Sequence, residues 1–444
     1  MNRQYDFSIQ NLGKPEYQSP IILSRVYGDT IANYVTDDER ILSDIQICNG
    51  KQFPQREDAQ SLEKAGPRER IYFSPSEVRA GIVTCGGLCP GLNDVIRSVV
   101  HTLWHSYGAR KISGIKFGYN GFLGAVRSPV IALDPDAVKD IHRIGGSILG
   151  TSRGGGEQRE KILDAVEKLG LNMLFTIGGD GTQKGALGIA EAAARRGKKI
   201  AVIGIPKTID NDLSFVEKSF GFETAVVRAT EVVLSAHQEA HSAIHGIGLV
   251  KLMGRESGFI AAHTAISSQD VNYALIPEVP FRLEGAGGLF EHLKERLDKR
   301  NHAVIIVAEG AGQNLLHDEN ASDASGNRKL GDIGIYIKEH ITKYFKDLDY
   351  EVNLKYIDPS YIIRSSSAIP TDGLYCSRLG TNAVHAAMTG KTAMLVSFWN
   401  SRFVHVPMKL SCSMRNYVNP ESSLWRDVLD ATGMPLTWQH ATDR

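Results

Sequence analysis

The sequence carries no surplus of charge of either sign: 50 Lys and Arg stand against 50 Asp and Glu. Such a chain has no global basic field, so nucleic acid and membranes are excluded as general partners, although local patches can still hold phosphates. No apolar run approaches the length needed to cross a bilayer. The N-terminal stretch Met1 to Gln10 lacks a secretory apolar core, and Ala441-Thr442-Asp443-Arg444 is not a targeting tripeptide. Cysteine is scarce and scattered, with five residues at 48, 85, 89, 376 and 412. An odd, dispersed set excludes a disulfide framework and points to a reducing compartment. Cys85 and Cys89 have no second Cys/His pair, so a zinc site is not expected. What remains is a cytoplasmic chain of 444 residues, 42% hydrophobic and 23% charged, long enough for two sizeable cores.

What is present in quantity is glycine, and it clusters where apolar runs end. Met173 to Ile177 reads as a buried parallel strand, followed by Gly178-Gly179-Asp180-Gly181-Thr182 and an alanine-rich helical segment to Arg195. That order sets free backbone N–H groups and a positive dipole end against a phosphate. Asp180 in the turn is a ligand type for a magnesium ion carried by that phosphate. The next apolar run, Ile200 to Ile205, ends in Pro206-Lys207-Thr208-Ile209-Asp210-Asn211-Asp212, which supplies a cation, a hydroxyl and two carboxylates. Val78 to Cys85 opens a third unit, with the turn Gly86 to Asn93 before a helix to Trp104.

The rest of the chain keeps the alternation. Strands are expected at Lys111–Phe117, Gly246–Leu252, Tyr273–Ile276, Ala303–Ala308 and Glu351–Ile357. Helices are expected at Asp134–Arg143, Glu157–Leu169, Phe222–Glu239, Leu289–Arg300, Asp332–Phe345 and Thr371–Met388. Ile21 to Leu23 with Val26 reads as a short strand, the charged Gln52 to Arg70 stretch as surface or linker, Gln313 to Arg328 as a polar insertion or lid, and the last fifty residues as irregular. The fold class is therefore α/β: two Rossmann-like domains with mainly parallel sheets and helices on both faces, plus an N-terminal arm. The expected divisions are an extension at 1–76, a nucleotide-binding domain at 77–222, a sugar-phosphate domain at 223–363, and a return to the first domain with a C-terminal extension at 364–444. In such sheets ligands sit beyond the carboxyl ends of the strands, where every loop singled out here lies.

Phosphoryl transfer asks for positioning and charge neutralisation rather than covalent help. Asp180 suits magnesium, and Gly181 leaves room for a bulky donor. Asp210 suits the proton of an attacking hydroxyl, with Asp212 steering the base or the metal. Thr208 and Lys207 suit the transferring group. Arg153 and Arg255 suit phosphate and transition-state charge, Arg364 an anionic acceptor, and Glu309 the hydroxyls of a substrate. Each also has a plainer reading: Asp180 as a helix N-cap, Asp210 and Asp212 as an Asx-turn pair, Thr208 as a cap, and the arginines as surface ion pairs.

Gly-Gly-Asp-Gly-Thr at 178–182, Pro-Lys-Thr-Ile-Asp-Asn-Asp at 206–212 and Met-Gly-Arg at 253–255 together resemble the 6-phosphofructokinases, over about residues 80 to 415. The resemblance implies transfer of the γ-phosphate of ATP to the 1-hydroxyl of fructose 6-phosphate with Mg2+, in a cytoplasmic, allosteric homotetramer of glycolysis. It implies Asp210 as proton acceptor and Asp180 as magnesium ligand. Gly87, Arg153, Gly154, Gly181 and Thr182 fall on nucleotide positions. Thr208, Ile209, Asp210, Met253, Gly254, Arg255, Glu309, Tyr361 and Arg364 fall on sugar-phosphate positions. Donor choice turns on Gly181, where pyrophosphate users carry Asp, and on Lys207, which pyrophosphate users share; the Gly/Lys pairing resembles the ATP-using branch of plants and trypanosomes. Two departures stand out: Tyr361 replaces the family's usual histidine, and His245-Gly246-Ile247 lacks the arginine that bacterial members extend to a neighbouring subunit. A pyrophosphate-dependent enzyme and a non-catalytic regulatory subunit are the alternatives.

Overall fold

The computed structural model describes residues 5–45, 60–316 and 330–438. The chain divides into two compact units. The first is Met1–Thr208, Leu213–Gly221 and Ser365–Arg415; the second is Ile209–Asp212, Phe222–Arg364 and Asn416–Arg444.

In the first unit the buried strands Arg79–Thr84, Met173–Gly178 and Ala201–Pro206 lie parallel and adjacent, with Lys111–Ile115 and Met394–Trp399 parallel on either side. Continuous burial on both faces is what makes these runs almost wholly apolar rather than alternating. Val83, Leu174 and Val202 meet the apolar faces of the helices Arg159–Lys168 and Asp180–Arg195. Antiparallel strands extend the sheet at both edges, to nine strands among the described residues.

In the second unit four parallel strands run in the order Tyr273–Leu275, His302–Ala308, Gly246–Leu252, Asn353–Ile357. The helices Phe222–His241, Phe259–Ser268, Leu289–Arg300 and Ile333–Asp347 bury their apolar stripes against it. The expected α/β class with parallel sheet centres therefore holds, and each expected strand from residue 78 onward is present within a few residues.

Four local expectations fail for identifiable reasons. Ile21 to Leu23 with Val26 forms no strand: Ile22 is 92% exposed, and only a bridge between Ser24 and Asn33 is made. The described part of the Gln52–Arg70 stretch is core, not linker: Ser61–Lys64 pairs with Arg402–Pro407 in the main sheet, with Leu62 and Glu63 buried. Asp134 does accept a bond from the Ala137 N–H, but it caps a turn, and only Ile141–Arg143 is helical, as a single 3-10 turn. The C-terminal fifty residues are not irregular. Met394–Trp399 and Arg402–Pro407 form a hairpin whose two turn residues, Asn400 and Ser401, both take positive φ (46° and 61°) as a type I′ turn needs. Beyond it, the helix Ser423–Thr432 buries Trp425 in the second unit, where Trp438 also packs. The expected lid falls largely on 317–329, outside the described residues.

Candidate functional site

The first unit gathers its glycine loops by backbone bonds. The Gly86 N–H donates to the Ser152 carbonyl (2.9 Å), and the Thr151 hydroxyl donates to the Gly86 carbonyl (2.5 Å). This joins the turn carrying Gly87 to the loop carrying Arg153 and Gly154. A methyl group on Gly87 would lie 3.9 Å from the Arg153 Nη2, so the exposed guanidinium stands directly beside that turn. Lys207 is buried and donates from Nζ to the Gly87 carbonyl at 2.7 Å. The lysine is thus a staple between two strand-end loops, a structural duty that its place in the motif does not advertise.

Gly178 ends its strand under Thr182; a Cβ there would lie 2.2 Å from the Thr182 Oγ1, which excludes any side chain. Thr182 is itself buried, and its carbonyl accepts from the Tyr119 hydroxyl at 2.7 Å. Gly179, not Asp180, is the helix N-cap, and no side chain caps this end. The Asp180 carboxylate is instead held by Lys184 at 2.8 Å and approached by Arg415 at 3.5 Å. Arg415 was not read from the sequence, since it lies 235 residues further along in a stretch without periodicity. A side chain at Gly181 would meet nothing within 4 Å, so the helix terminus opens to solvent there. Among the described residues no three acidic, His or Cys ligands assemble. A lone carboxylate in the first turn fits magnesium that arrives with a phosphate, not a metal held by protein alone.

The second unit holds Ile209, Asp210 and Asp212, the Met253-Gly254-Arg255 loop, Glu309, Tyr361 and Arg364. The Arg255 N–H points to the Asp210 Oδ2 at 3.5 Å, and the Ser257 hydroxyl donates to the Asp210 carbonyl at 3.0 Å. Burial, then the charges of Asp212 and Glu309, push the Asp210 carboxyl up to about 7 against the opposing pull of Arg364 and the Arg255 N–H. The Arg364 Nη2 stands 3.8 Å from the Glu309 Oε1. Gly310 donates to the Gly254 carbonyl (2.9 Å), and a Cβ on Gly310 would lie 1.8 Å from the Arg255 carbonyl oxygen. Only glycine lets these two strand-end loops lie edge to edge. Met253 is fully buried in the core, so its role is to anchor the loop; Tyr361 is 81% exposed.

Two positioning groups escaped the sequence reading. Lys251 donates to Asp332 (2.7 Å) and pairs with Asp358 (2.9 Å), while Asp358 accepts from the Ser360 N–H (3.0 Å). This chain of bonds fixes the start of the helix Ser360–Ser365, which carries Tyr361 and Arg364. Glu278 accepts from the Gly258 N–H through both oxygens (2.9 and 3.1 Å) and from the Val418 N–H (2.8 Å), clamping the end of the Arg255 loop. Burial holds its carboxyl above the usual range. The signal in both cases was a charged residue inside or just after an apolar strand.

Strand-end glycine loops with an acidic helix start in one unit, and a raised carboxylate among arginines in the other, define an α/β protein of the phosphoryl-transfer class. The chain belongs to the phosphofructokinase family: the family described as "Phosphofructokinase" matches residues 79–387. It is 54% identical over 446 residues to the ATP-dependent 6-phosphofructokinase of Borreliella burgdorferi, covering 99% of both chains. It is 50% identical over 376 residues to the chloroplastic ATP-dependent 6-phosphofructokinase 5 of Arabidopsis thaliana, covering 85% of this chain and 70% of that one. The Trypanosoma cruzi ATP-dependent 6-phosphofructokinase is 42% identical over 437 residues, with 97% and 88% covered. Plant and trypanosome relatives agree with the branch the Gly181/Lys207 pairing indicated. A solved pyrophosphate-dependent phosphofructokinase from Marinobacter aquaeolei shares the fold, with a TM-score of 0.65 at 20% identity over 82% of this chain and 96% of that one. No helix among the described residues is long and apolar enough to cross a membrane.

Proposed function

We propose that the chain transfers the γ-phosphate of ATP to the 1-hydroxyl of fructose 6-phosphate. The observation that carries this reading is Asp210, a carboxylate raised to about 7 and set against the Arg255 backbone N–H, on a loop whose neighbours are Asp212, Glu309 and Arg364. A base with that affinity takes the hydroxyl proton as the oxygen attacks, at a pH where half of it is already ionised. Arg255 neutralises charge that develops in the transition state, and Thr208 positions the transferring group. Arg364 and Tyr361 hold the sugar phosphate, Glu309 accepts from its hydroxyls, and Ile209, Met253 and Gly254 shape the backbone around it. Gly87, Arg153, Gly154, Gly181 and Thr182 build the nucleotide loops. Asp180 would hold Mg2+ borne by the donor phosphates; when bound, the ion neutralises phosphate charge. The protein acts in the cytoplasm as an allosteric homotetramer.

The test is fructose 1,6-bisphosphate formation with ATP or pyrophosphate as sole donor. Product with ATP alone is expected; product with pyrophosphate alone would refute the donor assignment, and no product with either would leave a silent regulatory subunit. Gly181→Asp should raise the KM for ATP about tenfold or more, because a like charge set against a phosphate costs several kcal/mol. The fold should be unharmed, since a Cβ at 181 meets nothing within 4 Å. An unchanged KM in a folded variant would count against Gly181 as the donor determinant.

Lys251→Met should raise the KM for fructose 6-phosphate several-fold while kcat falls less. Losing Lys251 leaves Asp332 and Asp358 without their cation at a cost of about 1–2 kcal/mol, and the helix bearing Arg364 loosens. Equal losses in kcat and KM terms, or none, would assign Lys251 to the fold alone.

A further inference from the structure

The N-terminal segment, which contributed nothing to the reading above, walls a cavity of about 630 Å³ in the first unit. That size falls within the usual range for small-molecule sites. Its lining comes from residues 11–70 and 389–391, all outside the 79–387 matched by the family. Five cationic side chains line it against two carboxylates.

Two of those cations, Arg68 and Lys391, are almost fully buried. Both reach Glu63, at 2.8 and 2.6 Å, which is buried with them and serves as a permanent counterion. One negative charge cannot balance two positive ones. The second is supplied by Asp37, whose Oδ1 lies 2.9 Å from the Arg68 Nε and 3.8 Å from the Lys391 Nζ. Asp37 differs from Glu63 in the respect that matters: its side chain is 74% exposed, on a loop. A carboxylate so placed can leave, and what it leaves behind is the Arg68 Nε–H and the Lys391 ammonium facing an open cavity, while the Arg68 Nη groups stay bonded to Glu63 and to the Gly66 and Lys64 carbonyls. Lys14 and Arg70 add charge of the same sign, while Tyr27 and Tyr34 offer ring surface.

We propose that this cavity binds a phosphate-bearing small molecule, whose oxyanion takes the position that Asp37 holds against Arg68 and Lys391. A phosphate monoester suits the pair better than a carboxylate, because it brings up to two charges and several oxygens, one to accept from the Arg68 Nε–H and another to meet the Lys391 ammonium. The site has a physical route to the catalytic loops. Thr392 follows Lys391 and accepts from the Val202 N–H through its hydroxyl (3.1 Å), and Val202 lies on the strand Ala201–Pro206, which leads directly into Lys207. The inference stands independently of the reaction proposed above.

The test uses the full chain with inorganic phosphate, ribose 5-phosphate or adenosine 5′-monophosphate, read by hydrogen exchange. Segments 11–15, 33–37 and 388–392 then report separately from the 178–184 loop. Slowed exchange in these three segments is expected. Asp37→Asn removes the internal competitor and should tighten that binding about fivefold, the worth of one exposed ion pair. Arg70→Glu, on an exposed side chain, should weaken it. Stronger protection by the nucleotide than by ribose 5-phosphate would assign the tyrosine wall to a base, and equal protection would assign the site to sugar phosphates. Protection confined to 178–184, or protection of the three segments that ignores both substitutions, overturns the proposal.

Discussion

Asp210→Asn should lower kcat by about 10²–10⁴-fold, the usual worth of a general base. The substitution keeps shape and removes only the proton acceptor, so ATP binding and folding should survive. In the unsubstituted chain kcat/KM should rise about tenfold per pH unit below 7 and level off above it, following the Asp210 carboxyl at about 7. The same group has an effect on stability whose sign is opposite to that of most acids. Its folded-state affinity for a proton lies above the ordinary value of 3.8. The unfolded chain therefore ionises first, and folding is penalised increasingly as pH rises from about 4 to about 7. Asp210→Asn removes that penalty and should stabilise the protein by on the order of 1–3 kcal/mol at pH 8, with little gain at pH 4. A variant that is inactive and less stable at pH 8 would mean that Asp210 is a structural turn residue.

Glu63→Ala should destabilise the first unit by about 3–5 kcal/mol, the cost of leaving buried cations without their anion. Arg68, Lys391 and His405 all converge on this one carboxylate, within 2.8, 2.6 and 3.1 Å. Burial opposes its ionisation, but the hydrogen bond with His405 and the charge and hydrogen bond of Lys391 win and hold it well below the usual carboxylate range; burial keeps His405 itself on the neutral side. Because the folded affinity is depressed, this contribution is complete above the unfolded value of 4.5 and is lost as pH falls below it. Chemical denaturation of wild type and variant at pH 7 and pH 3 checks this: the difference should shrink at the lower pH. A difference of equal size at both would mean that Glu63 acts through packing instead.

The alternation of apolar strand and helix was legible because it follows from burial on both faces of a parallel sheet, and Met173 to Ile177 and Ile200 to Ile205 show nothing else. The glycine loops were legible because contacts such as Gly310 on the Arg255 carbonyl admit no side chain. What did not show was polar material inside the fold. Glu63 and Arg68 read as a solvated charge run, since only their distant partners Lys391 and His405 reveal them as core. Asn400-Ser401 hid a hairpin because neither residue is glycine, although both take positive φ. Lys207 read as a ligand for phosphate, while the structure makes it the staple of the Gly87 turn. Such roles depend on partners far along the chain, which local pattern does not contain.

The strand Ala201–Pro206 lies in the middle of the large sheet, but its neighbour on one side, Met394–Trp399, comes about 190 residues later in the chain. During synthesis at roughly 5–20 residues per second, that apolar edge waits about 10–40 s for its partner. Throughout that interval it is an unpaired template for any other strand, including the same strand of a chain emerging nearby. The hairpin that closes the sheet therefore sets the period of vulnerability to aggregation on the ribosome. A chain truncated before Met394 should be captured by chaperones or precipitate, however complete its glycine loops.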